Sequence, residues 1–220
     1  MKNLVIFGIG QIGQTIHYYF TEEGGRKVVA FTADAAYCNA DSLFGVPVVP
    51  FETIEASYPP DTHELFIAMG YHRVNTTREA KTREAEEKGY ALASHISPRA
   101  AVWSGFTANP NTIIMENNVI QPFVTIGKNV IMWSGNHVGH HTAIADHCFI
   151  ASHAVISGSV RIGEGTFVGV NATIRDNVRI GARNVLGAGT LILGDTPDNA
   201  VFMGPATEMS RVPSNRLRSI

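Results

Sequence analysis

A six-residue periodicity runs through the second half of this chain and constrains its fold more than any other feature. Every sixth position from Ile114 to Ile192 holds Ile, Leu, Val or Met. The residue four places further on is small or β-branched at most repeats. A period of six matches neither the α-helical turn nor the alternation of a long strand. It predicts short strands separated by corners, each with one large and one small inward side chain.

Three such strands would close a triangular coil, and successive coils would stack at about 4.8 Å, the spacing of neighbouring strands. Residues that lie three repeats apart, such as Ile126, Ile144 and Ile162, are therefore expected above one another. Each is followed by Gly or Ala, which suits a sharp corner. The pattern predicts a parallel β-helix.

The first part of the chain has a different pattern, in which apolar runs alternate with helical segments. The runs predict strands at Leu4–Gly8, Lys27–Thr32, Glu64–Met69 and Tyr90–Ala93, and helices after the first Gly-rich turn (to about Phe20) and at Asn75–Lys88. Such alternation favours a small, Rossmann-like α/β domain with a parallel sheet. We assign this domain to residues 1–95, and the β-helix with a C-terminal closing segment to residues 96–220.

Charge and cysteine content exclude several functions. The formal net charge is −2, and the basic residues are scattered, which argues against nucleic acid or an anionic membrane as partner. The N-terminal apolar run is too short for a signal peptide, and no stretch is long enough to span a membrane. Cys38 and Cys148 have no CxxC partner, and Cys148 falls on an inward position typical of the core. We expect a soluble cytoplasmic protein.

Histidines are concentrated in one stretch of the repeat, and none occupies the inward sixth position. They are His137, His140, His141, His147 and His153. A single exposed histidine is usually only a solvated side chain. The cluster favours chemistry, because imidazole, with an unperturbed pKa near 6.5, can accept a proton near neutral pH.

With this repeat and the α/β domain ahead of it, the chain resembles the hexapeptide-repeat acyltransferases over essentially its whole length. It is most similar to the sialic acid O-acetyltransferases and to the N-acetyltransferases of bacterial 4-amino sugars on nucleotide carriers. The resemblance implies left-handed coils, a homotrimer, and direct acyl transfer, most simply acetyl, from coenzyme A to a nucleotide-linked sugar in surface polysaccharide biosynthesis. It implies no metal. The acceptor would be an amine, with a sugar hydroxyl as the alternative.

The resemblance also suggests catalytic residues. Relatives carry a histidine where this chain has His140, followed by an acidic residue where it has His141. His140 is the expected general base, and His141 is the second candidate. An acidic neighbour would orient the imidazole ring. Asp146 or a neighbouring subunit could supply that role here.

Coenzyme A is expected in the groove between neighbouring β-helices. The candidate contacts are the small residues Ala151, Gly169, Gly187 and Ala188, followed by Met203, Gly204 and Pro205 of a closing segment that resembles the one covering the cofactor in relatives. Corner geometry alone would explain the small residues equally well.

The sugar nucleotide is expected at the Gly-rich turn, which has the form GxGxxG and follows a strand. Such a turn directs helix N-terminal amides at a phosphate. The candidate contacts are Gly8, Gly10, Gln11, Ile12, Asp34, Gly70, Tyr71 and Trp133. Ile12 replaces a histidine that reaches the sugar in many relatives, and Trp133 replaces a polar residue.

Two other functions are compatible with parts of the pattern. A β-helical zinc hydratase would use histidines of neighbouring subunits as metal ligands. A non-catalytic nucleotide-binding trimer would use the Gly-rich turn alone. Metal analysis would identify the first, and coenzyme A binding would exclude the second.

Overall fold

Residues 2–216 are described by the structure, a computed structural model. Its N-terminal part contains strands β1 (Asn3–Phe7), β2 (Val28–Ala33), β3 (Ser42–Leu43), β4 (Val46–Pro50), β5 (His63–Ile67) and β6 (Ala91–Leu92), and helices α1 (Gln11–Tyr18), α2 (Ile54–Ser57) and α3 (Thr76–Glu87). The strands form one six-stranded sheet in the order β3-β4-β2-β1-β5-β6. All neighbours are parallel except β3 and β4. None of the described helices combines the length and apolar character needed to cross a bilayer.

The predicted strands and helices of this part are present within one or two residues, with three differences, of which one is the short helix α2, which was not predicted. The chain continues from α1 into a π-helical turn at Tyr19–Glu23, so the regular α-helix ends before Phe20. The hairpin of β3 and β4 was not predicted, because Pro47 and Pro50 argue against a strand.

The second part is a coil of two-residue strands. They are His95–Ile96 (β7), Ala101–Val102 (β8), Ile113–Ile114 (β9), Val119–Ile120 (β10), Thr125–Ile126 (β11), Ile131–Met132 (β12), His137–Val138 (β13), Ala143–Ile144 (β14), Phe149–Ile150 (β15), Val155–Ile156 (β16), Arg161–Ile162 (β17), Phe167–Val168 (β18), Thr173–Ile174 (β19), Arg179–Ile180 (β20), Val185–Leu186 (β21), Leu191–Ile192 (β22) and Val201–Phe202 (β23). The predicted stacking is present: Ile126 pairs with Ile144, and Ile144 with Ile162. The first coil strand already includes His95.

The coil has three faces, each a parallel sheet. Face one consists of β7, β9, β12, β15, β18, β21 and β23, face two of β8, β10, β13, β16, β19 and β22, and face three of β11, β14, β17 and β20. The inward aliphatic side chains of all three faces form one buried core. This arrangement is a parallel β-helix.

Each corner of the coil contains a residue with left-handed backbone, at every sixth position. They are Asn111, Asn117, Phe123, Asn129, Gly135, His141, His147, His153, Ser159, Gly165, Asn171, Asn177, Arg183 and Gly189, with φ between 54° and 79°. Gly adopts this conformation freely, and Asn and His more readily than most residues. Three of the five clustered histidines therefore stand at corners for a backbone reason.

The α/β domain packs on the lower part of face one. Phe20 and Phe66 of the domain share a buried cluster with Ile113, Ile131 and Phe149 of the coil. This contact fixes the C-terminal edge of the domain sheet beside the corner between faces one and two. The candidate substrate residues of the two parts meet there.

A buried arginine reinforces that contact at the corner between faces three and one, which we call the locking corner (residues 127–129, 145–147 and 163–165). Arg78 of α3 is completely buried. Its guanidinium donates to the carbonyls of Gly70, His147 and Cys148 at 2.8–3.1 Å, and to the Asn75 side chain at 2.9 Å. Burial lowers the pKa of Arg78 to about 10. The bonds tie α3 to the coil.

Candidate active site

His140 and His141 lie together at the corner between faces two and three, which we call the histidine corner (residues 139–142). Both side chains are exposed. The backbone N–H of His140 donates to Oε1 of Gln121 in the coil below, at 2.9 Å. The two Nδ1 atoms are 3.1 Å apart, within hydrogen-bond distance. The pair is therefore held by the coil and by its own contact.

The ring of His140 lies over Gly158 of the next coil. A Cβ atom at position 158 would come within 2.9 Å of the Nε2 atom of His140. A larger residue at position 158 would displace the His140 ring from this place. With Nδ1 directed at His141, Nε2 is the atom of His140 that remains available for proton transfer.

Asp146 does not orient His140. It lies at the locking corner, where its Oδ1 accepts from the backbone N–H of Lys128 at 2.9 Å. The expectation that Asp146 could replace the acidic neighbour is wrong within one chain, because the two residues belong to different corners.

The other histidines point away from the pair. His137 lies on face two, His147 at the locking corner, and His153 at the corner between faces one and two, where its ring covers Gly135. Within one chain, histidines on separate corners of a coil do not converge on one metal ion. Within residues 2–216 of one chain, the clustered histidines form no three-histidine site. The predicted zinc site, which would combine neighbouring subunits, is tested by metal analysis.

Glu79, His147 and Glu164 do come close enough to suggest a metal site. Arg183, however, already pairs with both carboxylates at 3.2 Å. The Asn129 amide donates to Nδ1 of His147 at 2.8 Å, since its Oδ1 already accepts from Arg78 and from Asn111. Nε2 of the neutral ring must then carry the proton and has no lone pair for a metal. We interpret the trio as an ion-pair cluster.

An apolar pocket of about 310 Å³ lies between the domain and the corner between faces one and two. It is lined by Ile12, Tyr71, Trp133, Phe149, Ala151, Ser152, Phe167 and Val170. The Tyr71 ring packs against Phe149 and Phe167, with centroids 5.1 and 4.5 Å apart. The structure thus brings together Ile12, Tyr71, Trp133 and Ala151 from the predicted site residues. Trp133 stands across face two from His140, on the other edge.

A second pocket of about 390 Å³, which we call the loop pocket, opens at the C-terminal ends of β1, β2 and β5. It is lined by Phe7, Gly8, Ile9, Ala33, Asp34, Tyr37, Met69, His72 and Thr77. Asp34 faces this pocket with one carboxylate oxygen bound to Lys81 Nζ at 2.7 Å. Crevices at this edge of parallel sheets are common ligand sites.

Helix α1 begins beside the loop pocket without a side-chain cap. Gly10 is the N-cap, and the first turn holds no acidic residue, so the N-terminal amides from Gln11 onward are free to bind an anion. Gly8 has a φ of 114°, and a Cβ there would lie 2.6 Å from the Ala68 carbonyl. Gly70 packs against Ile12, and its carbonyl accepts from Arg78.

The small residues proposed for coenzyme A lie higher on the corner between faces one and two. A Cβ on Gly169 would come within 2.7 Å of the Ala188 backbone, and one on Gly187 within 2.9 Å of the Phe202 carbonyl. Gly204 packs directly on Ala188. Coil stacking thus accounts for these glycines. Met203 is 84% exposed, and Pro205 is also exposed.

Sequence reasoning missed several residues of these sites. Phe149 and Phe167 stand just before inward aliphatic residues and pair in register, so the repeat itself could have placed them side by side. Gln121 could have been found in the same way, because it lies one coil below Gly139. His72 lies in a loop and Tyr37 in a single 3₁₀ turn (Ala35–Tyr37), and neither segment has a periodic signal.

Comparisons with known proteins agree with this architecture. A family model described as bacterial transferase hexapeptide (six repeats) matches residues 159–194. No curated protein sequence matches the chain.

Solved structures match nearly the whole chain. A His-to-Asn variant of perosamine N-acetyltransferase from Caulobacter crescentus, in complex with CoA and GDP-perosamine, is 26% identical with a TM-score of 0.84, covering 93% of this chain and 94% of that one. The acetyltransferase domain of PglB from Neisseria gonorrhoeae is 25% identical with a TM-score of 0.82, covering 95% and 100%. WeeI from Acinetobacter baumannii, 19% identical with a TM-score of 0.76 over 93% and 97%, shares the fold. The chain therefore contains hexapeptide repeats of the bacterial transferase type and is similar over nearly its whole length to solved acetyltransferases, one of them a sugar N-acetyltransferase.

Proposed function

We propose that the protein transfers an acetyl group from acetyl-CoA to the amino group of a nucleotide-linked sugar, with His140 as general base. The observation that carries this proposal is the histidine pair at a coil corner in a chain whose structural neighbour holds CoA and GDP-perosamine. The reaction would be a cytoplasmic step of surface polysaccharide synthesis.

The sugar nucleotide is proposed to lie across the Gly-rich turn. Its diphosphate would accept from the uncapped amides at the start of α1, including those of Gln11 and Ile12. The nucleoside would occupy the loop pocket, where Asp34 has one oxygen free from Lys81. The sugar would extend past Ile12 into the apolar pocket, towards Tyr71 and Trp133.

In the proposed reaction, the sugar nitrogen attacks the thioester carbonyl carbon and forms the C–N bond. Nε2 of His140 takes the proton that the nitrogen loses, and the C–S bond breaks. The proton then passes from His140 to the departing thiolate, which leaves as free coenzyme A. Transfer is direct, because burial raises the pKa of Cys148 to about 12 and makes its thiol a poor nucleophile.

One chain does not complete this site, since the apolar pocket and the histidine corner lie on opposite edges of face two. Face two carries a row in which Val119, Val155 and Leu191, 39–62% exposed, alternate with His137 and Thr173. We infer that a second copy packs along this row and brings its apolar pocket to His140, in a homotrimer of left-handed coils. Exposed apolar patches of this kind mark protein interfaces.

Complementation tests the shared site. His140→Ala removes the base. Gly10→Glu places a negative charge near the proposed phosphate position, where an added Cβ meets no atom within 4 Å. Each variant alone should be inactive. Trimers reassembled from a mixture should regain part of the activity, whereas a site within one chain would show no recovery.

The activity itself is tested by thiol release. The protein and acetyl-CoA would be combined with nucleotide-linked amino sugars and with their hydroxyl counterparts. Release that depends on one amino sugar supports the proposal, and release with the hydroxyl counterpart alone would assign O-acetylation. No release with any acceptor, together with no coenzyme A binding by calorimetry, would contradict acetyl transfer.

A further inference from the structure

The contact between His140 and His141 restricts the protonation of both rings. Two nitrogens 3.1 Å apart form a hydrogen bond only if one carries the proton and the other offers a lone pair. The two neutral rings must therefore be of opposite tautomer. If His140 donates from Nδ1, its Nε2 holds a lone pair, whereas the reverse arrangement would block that atom.

Within residues 2–216 of one chain, no nitrogen of either ring lies within 4.0 Å of a carboxylate oxygen. The groups packed against the pair are Gln121 and Phe123 from the coil below and Gly158 from the coil above, all neutral. The nearest charged residues along this corner, Arg175 and Asp176, belong to the second coil above. Within one chain, His141 is therefore the side chain that can orient His140.

Phe123 is the exceptional residue at this corner. It adopts a φ of 66°, although a bulky aromatic residue is strained in this conformation, and the equivalent corners hold Asn, Gly, His, Ser or Arg. Its ring is 60% exposed. It packs against His141 with centroids 4.7 Å apart, and against Trp103 at 5.8 Å. Strain that persists on an exposed side chain is typical of functional sites.

We propose that His141 is a positioning residue whose Nδ1 accepts the Nδ1–H of His140, and that Phe123 holds the His141 ring at the angle this bond requires. The bond leaves the Nε2 lone pair of His140 available for the substrate proton. His141 thus takes the orienting role of a carboxylate while remaining neutral. The proposal rests on the proposed function, in which His140 is the base.

Glycine substitution tests the role of His141 without straining the corner. His141→Gly keeps the left-handed turn, as Gly135 and Gly165 do at equivalent corners. It should lower kcat by about 10- to 100-fold while the KM values for both substrates stay unchanged. The matched control is Asn177→Gly, two coils above on the same edge, which should retain wild-type kcat. A wild-type kcat in His141→Gly would overturn the proposal.

A carboxylate variant distinguishes orientation from mere packing. His141→Asp restores an acceptor and adds a negative charge, so it should remain more active than His141→Gly. Its acid limb in the profile of kcat/KM against pH should move up by about one unit, because the charge favours protonated His140. An acid limb unchanged from wild type would mean that residue 141 does not act through His140.

Replacement of Phe123 should affect stability and activity in opposite directions. Phe123→Asn suits the left-handed corner, so the melting temperature should stay the same or rise, while kcat falls several-fold. An unchanged kcat would remove Phe123 from the proposal.

Nitrogen NMR of the histidine rings detects the hydrogen bond between His140 and His141 without measuring enzyme activity. In the wild-type protein at neutral pH, His140 should carry its proton on Nδ1 and His141 on Nε2. The opposite assignment would overturn the proposal even in an active enzyme. If no acceptor releases thiol, the proposed function fails, and the tautomers still report whether the bond exists. If His140→Ala is inactive and His141→Gly is not, only the positioning role fails.

Discussion

Two corners of the same coil carry a histidine in nearly identical backbone but in different surroundings. His141 and His147 are one repeat apart and have φ values of 60° and 63°. His141 is exposed and touches His140, whereas His147 is buried, is bonded to Asn129, and offers its carbonyl to Arg78. The backbone explains why histidine is tolerated at both corners. The neighbouring residues differ, and on this difference we base the proposal that His147 serves stability and His141 serves catalysis.

At the locking corner, replacement of Arg78 should cause the largest loss in the free energy of unfolding. Arg78→Met keeps the length of the side chain but leaves its buried carbonyl and amide acceptors without donors. We expect a loss of about 3–5 kcal/mol in the free energy of unfolding, measured by denaturant titration. Arg183→Met is the control, because its pairs with Glu79 and Glu164 are partly exposed and should contribute about 1 kcal/mol or less. Equal losses in both variants would contradict the assigned role of Arg78.

At the histidine corner, substitution should lower activity and leave stability unchanged. His140→Ala should lower kcat by about 10²–10⁴-fold, as the loss of a general base does, with little change in coenzyme A affinity or melting temperature. Steady-state kinetics and calorimetry measure both. A fully active His140→Ala variant beside an inactive His141→Ala variant would transfer the base to His141.

His147→Gly is the direct counterpart of His141→Gly. It removes the acceptor of the Asn129 amide inside a buried network, so the free energy of unfolding should fall by about 1–3 kcal/mol. Because His147 lies far from the histidine corner, kcat at a permissive temperature should stay near wild type. A large fall in kcat of His147→Gly without a change in stability would contradict the different roles assigned to the two corners.

Acid should weaken the contact between domain and coil. Burial lowers the pKa of His147, and it lowers that of His95 despite the opposing effect of Glu23. Both rings therefore resist protonation in the folded protein, whereas in the unfolded chain they titrate near pH 6.5. The unfolded state then binds more protons below that pH, and the free energy of unfolding falls. Melting temperatures measured from pH 7.5 to 5 should decrease, and the decrease should be smaller in His147→Gly.

The coil could be predicted from sequence because one physical signal, an inward aliphatic residue, is repeated at every strand. The corners could have been predicted too, since the left-handed positions follow the same period and several hold Asn, as at Asn111, Asn117 and Asn129. The same period assigns His141 and His147 to the left-handed position of a corner and places His140 one residue before it. It also marks Phe123 as exceptional.

The locking corner could not be predicted in this way. Arg78 lies in a charged helical segment that has the composition of a solvated surface, and its burial results from tertiary packing against the coil. The same holds for the apolar pocket, which combines Tyr71 of the domain with Phe149 of the coil. Long-range contacts between unlike patterns leave no local periodic signal.

Isotope transfer is the most direct test of the central claim that the histidine corner catalyses acetyl transfer. The protein would be incubated with acetyl-CoA labelled in the acetyl group and with a nucleotide-linked amino sugar, and the products would be analysed by mass spectrometry. We predict a labelled N-acetyl sugar nucleotide in amounts equal to the free coenzyme A released, and its near absence with His140→Ala. Equal labelled product from wild type and His140→Ala, or none from the wild type with any amino sugar, would contradict the account.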